Sequence, residues 1–449
     1  MWEYILKMVF EIIIINRRSL TKLIFIIHLL LFFPITLFSQ SDYEFWFAAP
    51  PVTHQFVFPS PILYQNLNHP IRLYFTTAEG PATVTISKPA NPAFIPIVVI
   101  VNNSTTTGID LTSYIDNIEI KPADSVLNWG LHITSNKRIT AFYEVQSPHN
   151  AETWTLLGRN ALGYEFIIPS QQHYSNYEYT FPPALNSFEV IATEDSTTVK
   201  ILPKVGVVGH PANDTVTIIL HRGQCWNGSA LSGDSTAHLA KSFVFSDKPI
   251  AVTVSDDVVH IPAASSNSED IAGVQLIPRH LCGKEFAFGM ASGLSHPCRI
   301  YIYAFEDLTS IIFNDSTRII SRIINRGDSM EVIGNPASIP LGGCHIQSDK
   351  NILVFLYNFP DQVYPFGFSS PQATSSIIPP LTCGGSRRVV FCETPPRGKL
   401  PFFDFQIITK RSSLSGFSFQ PPFGLDTTAY RSEERRVGKE CRSRWSPYH

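Results

Sequence analysis

The chain has 449 residues, a formal net charge of −3, only 16% charged side chains and 44% hydrophobic ones. That balance gives no electrostatic footprint for nucleic acid, and the length suggests about three or four domains. Val, Ile, Thr, Phe and Tyr dominate between Ser41 and Tyr430, and 34 prolines punctuate the whole chain. This is β-sheet composition broken by turns.

The first forty residues read as a secretory signal. Arg17, Arg18 and Lys22 precede a run from Leu23 to Phe38 that has no formal charge, and Ser39-Gln40 opens a polar stretch. A cationic start, an apolar middle and a small-residue exit place a cleavage near Gln40. The alternative is an uncleaved anchor, since the run approaches the ~20 residues that span a bilayer.

From Ser41 onward the chain repeats itself. Ser135-Asn136-Lys137-Arg138-Ile139, Ser246-Asp247-Lys248-Pro249-Ile250 and Ser348-Asp349-Lys350-Asn351-Ile352 are one phrase at steps of 111 and 102 residues. Glu79, Glu194 and Glu306 open acidic turns ahead of β-rich runs at steps of 115 and 112. Tyr43-Glu44-Phe45, Tyr164-Glu165-Phe166 and Lys284-Glu285-Phe286 follow at steps of 121 and 120. A period this long is a small domain rather than a solenoid unit. The expected organisation is a signal over 1–40, β repeats over 41–161, 162–281 and 282–382, and a truncated fourth repeat over 383–430. Arg431 to His449 is abruptly basic and resembles the translation of a sequencing adapter, so 431–449 is set aside as a non-native tail.

The second repeat illustrates the predicted elements. Glu165–Ile168 is a short apolar run ended by Pro169, and Phe188–Ala192 is another. Thr198–Leu202, Thr215–Leu220, Lys241–Phe245 and Ile250–Val254 follow, separated by turn signals at Glu194-Asp195-Ser196, Arg222-Gly223-Gln224 and Asp247-Lys248-Pro249. Short runs with turns about every 8–12 positions predict an all-β chain of tandem antiparallel β-sandwich-like repeats of about 100–120 residues. The Ser-Asx-Lys phrase reads as a hairpin, because Asx caps its own turn and Lys or Pro discourages further pairing. Helices should be rare, since no sustained 3.6-residue period follows the signal.

Ala141-Phe142-Tyr143-Glu144-Val145, Asn160-Ala161-Leu162-Gly163-Tyr164-Glu165-Phe166, Ala192-Thr193-Glu194-Asp195-Ser196-Thr197-Thr198-Val199 and Asp247-Lys248-Pro249-Ile250-Ala251-Val252 resemble the IgGFc-binding protein N-terminal domain family over roughly Asp42 to Asn358. The likeness is closest to bacterial members in large surface proteins of gliding bacteria. It implies an extracellular location and a C-terminal sorting domain, which is missing here as expected of a gene cut at Tyr430. The family name implies antibody binding, an activity of animal mucosal members that does not transfer by fold alone. Relatives commonly carry cysteines after the second Asp-Lys-Pro strand, where this chain has Asp256-Asp257 and His260.

Catalytic spacings such as GxSxG, HExxH and the phosphate and dinucleotide loops are missing, so the chain is read as a non-enzyme. Six cysteines remain when Cys441 in the tail is discounted, and behind a signal they read as disulfides. Matching places at the starts of the third and fourth repeats favour the local pairs Cys282–Cys298 and Cys383–Cys392. Asp256 and Asp257, with Glu269 and Asp270 a short loop later, are a candidate calcium site, because Ca²⁺ takes six to eight oxygens. No other cofactor is expected. Tyr174, Tyr177 and Tyr179, in a polar loop, are the candidate contact surface, and Phe45, Trp46, Phe47, Phe366 and Phe368 are further aromatics near loops.

The resulting expectation is a secreted or outer-surface protein that binds an extracellular protein or glycan, with membrane contact only through the signal segment before cleavage. The alternatives are a structural stalk spacing a missing C-terminal domain and, from another class, a hydrolase of extracellular polymer.

Overall fold

A computed structural model describes residues 41–57, 65–103, 105–147, 150–262, 268–289, 297–315, 318–334, 343–359, 361–363, 369–371, 373–381, 405–409 and 441–445. The signal segment and nearly all of the fourth repeat lie outside these residues. No described helix is long and apolar enough to cross a membrane.

The first module comprises β1 (Asp42–Phe47), β2 (Gln55–Phe56), β3 (Ile71–Thr76), β4 (Ala82–Ser87), β5 (Ile97–Val101), β6 (Thr107–Asp110), β7 (Leu131–Ser147) and β8 (Asn150–Leu156). The second comprises β9 (Gly163–Ile167), β10 (Thr180–Phe181), β11 (Asn186–Ala192), β12 (Thr197–Leu202), β13 (Val216–Leu220), β14 (Cys225–Ser229), β15 (Phe243–Ile261) and β16 (Ser268–Gln275). The third comprises β17 (Gly283–Gly289), β18 (Arg299–Ala304), β19 (Thr309–Asp315), β20 (Arg318–Ile324), β21 (Ser329–Ile333), β22 (Gly343–Asn358), β23 (Asp361–Val363), β24 (Ser369–Pro371) and β25 (Thr374–Ile378). Beyond them β26 (Phe405–Thr409) pairs antiparallel with β27 (Cys441–Trp445), inside the stretch set aside as a tail.

All three modules have one topology. The orders β5-β4-β7-β3-β6, β13-β12-β15-β11-β14 and β20-β19-β22-β18-β21 are the same path, and each long central strand also takes the module's first and last strands. The first half of β7 therefore lies between β4 and β1, and its second half between β3 and β8. Two antiparallel faces share one bent strand, and the core fills the space between them. Phe45, Val84 and Ile133 from one face meet Leu73, Tyr143 and Trp154 from the other, all fully buried.

The repeated phrases are the parts that make this bend. The Ser-Asx-Lys phrase is not a hairpin, as its turn residues suggest, but the corner inside one continuous strand of 17, 19 or 16 residues. Opposite it the short first strand contributes a single residue, Tyr43, Tyr164 or Lys284, so register slips between Asp42 and Glu44, between the partners of Phe245 and Ile250, and between Gly283 and Glu285. Such a bulge bends the strand that carries the extra residues. The first and third phrases are thus partners across one corner.

The Asx side chain fixes the corner. Asn136 Oδ1 accepts the Thr83 N–H at 2.8 Å, Asp247 Oδ1 the Thr198 N–H at 2.7 Å and Asp349 Oδ1 the Ser310 N–H at 2.8 Å. The acidic-turn phrase closes the neighbouring β-turn, where Ser196 and Leu308 hold φ of 51° and 53° at equivalent positions and Gly80, one position earlier in the first module, holds 91°.

Consecutive modules interlock. The segment leading into β7 runs along the open edge of β14: Leu127 and Cys225 exchange backbone bonds at 2.9 and 2.8 Å, and Asp124 N donates to Asn227 O at 2.9 Å. Trp46, Ala48 and Ile120 of the first module share a buried cluster with Ile191, Cys225 and Ala251 of the second. Between the second and third modules Tyr301, Tyr303, Phe305, Phe355 and Tyr357 pack with Ile167, Phe243 and Val259. Arg279 bridges Glu165 and Glu306, both at 3.0 Å.

Candidate binding surface at the joint of the first two modules

The two-residue strands β2 and β10 pair antiparallel across the joint, Gln55 with Phe181 and Phe56 with Thr180. Tyr177 precedes this ribbon and is the centre of an aromatic cluster. Its ring stacks on His260 at 5.4 Å between centroids, meets Phe56 edge-on at 5.4 Å and Tyr179 edge-on at 5.6 Å. His260 Nδ1 lies 2.9 Å from Glu269 Oε1, which orients the imidazole under Tyr177. Tyr179 is 44% exposed and Phe181, on the same ribbon, 63%. Edge-to-face and stacked rings in this range add attraction beyond their buried area. The outcome is a wet aromatic rim resting on a buried base of Phe56, Leu67, Ala184 and Val258.

Tyr174 separates from the other two predicted tyrosines. It packs edge-on against Phe359 of the third module at 4.9 Å, and burial raises its phenol above the ordinary range. Phe45, Trp46 and Phe47 are buried. Phe366 and Phe368 lie outside the described residues.

The four carboxylates expected to gather a calcium ion do not do so. Glu269 and Asp270 lie not in a loop but in β16, paired with β15 so that Val259 faces Asp270 and His260 faces Glu269. Glu269 is engaged by His260, while Asp256, Asp257 and Asp270 turn inward and are satisfied by protein donors. Asp256 Oδ1 accepts from Asn176 Nδ2 at 3.0 Å and its Oδ2 from Gln171 Nε2 at 2.9 Å. Asp257 Oδ2 accepts the Thr53 N–H at 2.7 Å, and its Oδ1 accepts from Asn150 Nδ2 at 3.2 Å. Asp270 Oδ2 accepts the Ala373 N–H at 3.1 Å. Among the described residues no group of three or more His, Cys, Asp or Glu is arranged to hold a metal. Burial instead pushes the Asp257 carboxyl up to about 7 and Asp270 to about 8, because the low-dielectric interior disfavours the charged form.

These carboxyls form a polar knot at the joints. His238, fully buried, places Nδ1 2.9 Å from Gln171 O and Nε2 3.1 Å from Asn176 Oδ1. Tyr357 of the third module donates toward Asp256 Oδ2 at 3.4 Å. Gln171, Asn176, His238, Asn150 and Thr53 carry no spacing signal, since they converge only through the topology.

The predicted Cys282–Cys298 pair is not formed. Cys282 sits in the apolar layer between the second and third modules, its thiol 3.6 Å from Pro278 O, whereas Cys298 belongs to the core of the third module with Cys344. Nearness in sequence at the start of a repeat does not bring the two together, because they fall in different buried clusters. Cys383 and Cys392 lie outside the described residues.

No match to a curated protein is found. Two solved structures overlap the chain: a Ca²⁺-stabilized adhesin that helps an Antarctic bacterium reach out and bind ice, and a 1.5-MDa bacterial ice-binding adhesin. The first is 8% identical over 76% of this chain and 74% of that one, with a TM-score of 0.12. The second is 10% identical over 67% and 86%, also with a TM-score of 0.12. Superpositions at that score support no inference about this chain. A family profile described as IgGFc binding protein matches residues 152–410. It begins inside β8 rather than at Asp42, and it runs beyond Asn358, so the second and third modules carry the likeness. With more than half of its length matched, the chain belongs to the IgGFc-binding protein family.

Proposed function

We propose that the chain is a non-catalytic recognition protein of the cell surface or extracellular space, and that the Tyr177–Tyr179–Phe181 rim is its contact for an extracellular protein or glycan. Family membership supports a binding role. The observation that carries the reading is the exposed aromatic rim held over a buried base by two modules at once, with Glu269 and His260 beside it as polar partners. Rigid aromatic side chains supply large contact area at low entropy cost, and ring faces suit both sugar C–H groups and protein side chains.

The test is binding of the full chain to immobilised immunoglobulin Fc, mucin glycans and matrix proteins, compared with a Tyr179→Ala/Phe181→Ala variant. Saturable binding to one of these, reduced at least tenfold in the variant at an unchanged melting temperature, is the expected result. Binding that the variant leaves intact would remove the rim from consideration. A second reading, a spacer carrying another domain, draws support from the tightly interlocked joints. It expects no ligand at any concentration and a rod-like scattering profile.

A further inference from the structure

At the base of the first module a lysine, an asparagine and a glutamate meet in a way that neither the recognition role nor the core requires. Glu119 is fully buried and Asn68 is 3% exposed. Lys121 Nζ donates to Glu119 Oε2 at 2.6 Å, and Asn68 Nδ2 donates to the same oxygen at 3.2 Å. Amine and carboxamide therefore lie no farther apart than these two contacts allow. Two imidazoles face the other end of the amide: His54 Nδ1 lies 3.2 Å and His69 Nδ1 3.0 Å from Asn68 Oδ1. Glu119 Oε1 is buried with no hydrogen-bond partner. An unsatisfied buried carboxylate oxygen is costly, and such atoms mark strain or chemistry.

We propose that Lys121 and Asn68 form an intramolecular isopeptide bond, with Glu119 as proton carrier and His54 and His69 as the oxyanion-stabilising donors. Glu119 accepts a proton from the Lys121 ammonium, and the freed lone pair attacks Asn68 Cγ. The Nζ–Cγ bond forms as the carbonyl pair moves onto Oδ1, where two Nδ1–H donors face the developing negative charge. Collapse of the tetrahedral intermediate breaks Cγ–Nδ2. Glu119, already in contact with Nδ2, returns its proton to the leaving group, and the lysine's remaining surplus proton departs with it, so ammonium leaves and the carboxylate is restored. No oxidant or cofactor enters the balance.

The surroundings suit each role. Burial pushes the Glu119 carboxyl up to about 7, opposed by Lys121, so it exchanges protons near neutrality. Burial and the neighbouring His54 hold the His69 imidazole below its ordinary range, which keeps it neutral and able to donate through one ring nitrogen. Burial of Asn68 and Glu119 also limits water, the competing nucleophile.

Intact-mass measurement of the purified full chain, followed by peptide mapping, tests the bond. The expected wild-type mass is lighter than the sequence by one ammonia, with one branched peptide containing Asn68 and Lys121. Lys121→Arg and Glu119→Gln should both return to the unmodified mass. Lys121 is partly exposed, so Lys121→Arg serves if Glu119→Gln fails to fold. An unmodified mass in folded wild-type chain after prolonged incubation would overturn the proposal, as would Asn68 deamidated to aspartate or an ammonia loss that persists in Lys121→Arg. A cross-link retained in folded Glu119→Gln would overturn the role of the carboxyl.

Discussion

The indole of Trp154 in β8 lies where a side chain on Gly273 in β16 would have to stand: a Cβ there would come within 2.4 Å of Trp154 Nε1. The same indole nitrogen approaches Val254 O at 3.4 Å, and Glu152 Oε2 accepts the Gly273 N–H at 3.2 Å. The last strands of successive modules are thus fitted to one another. Gly273→Ala is expected to cost about 1–3 kcal/mol through overpacking, read as a lower denaturation midpoint. An unchanged midpoint would mean that the joint is loose.

Buried acids set the pH dependence of stability. Burial raises Glu189 and Asp270 to about 8 and Asp257 to about 7. A carboxyl whose folded value is raised contributes its full stabilisation below its unfolded value near 4, and that contribution is lost as pH rises through the folded value. The fold should therefore be more stable at pH 5 than at pH 9, the loss falling between the unfolded values of about 4 and the raised folded values. Asp270→Asn should flatten the profile. A stability maximum at pH 9 would contradict these assignments.

Leu308 holds φ of 53° at the place where the second module has Ser196 at 51°. A leucine is strained in the left-handed region and this one is largely solvent-exposed. Leu308→Gly should raise stability by about 0.5–1 kcal/mol, since relief of strain exceeds the added chain entropy. A loss measured by thermal melt would show that the strain at Leu308 is smaller than the entropy that glycine adds to the unfolded chain.

Asn136→Ala removes the acceptor for the Thr83 N–H at the corner of the first module. The expected cost is about 1 kcal/mol, checked by chemical denaturation, and an effect within error would leave the bend to the bulge alone.

Because Asp256, Asp257 and Asp270 are satisfied by protein donors, a chelator should leave the melting midpoint unchanged. A fall of several degrees would point to a bound divalent ion.

The fold was legible in sequence where repetition carried it. The three phrases mark one corner and one β-turn per module, so the period revealed both the repeats and the positions that matter within them. The direction of the corner was not legible, because Asp-Lys-Pro chemistry suits a hairpin and a bulged bend equally. β14 and β16 were missed for a related reason. Cys225-Trp226-Asn227-Gly228-Ser229 is buried on both faces and has no alternation, and Ser268-Glu269-Asp270 opens with residues that usually face water. The aromatic rim was partly foreseen through Tyr177 and Tyr179. Phe56, Phe181 and His260 joined it only because β2 and β10 meet across a joint more than a hundred residues long in sequence. The Lys121–Glu119–Asn68 meeting had no signal, since an alternating pattern says nothing about which loop a glutamate shares.

The ribbon from Asp124 to Gly130, laid along the rim of β14, has a mechanical consequence. A protease that cuts there, or a force that lifts it, uncovers a raw sheet edge in one module by acting on the sequence of another. Damage to the first module would therefore be felt as exposure of the second, and the two should withstand tension, heat and digestion as a single body.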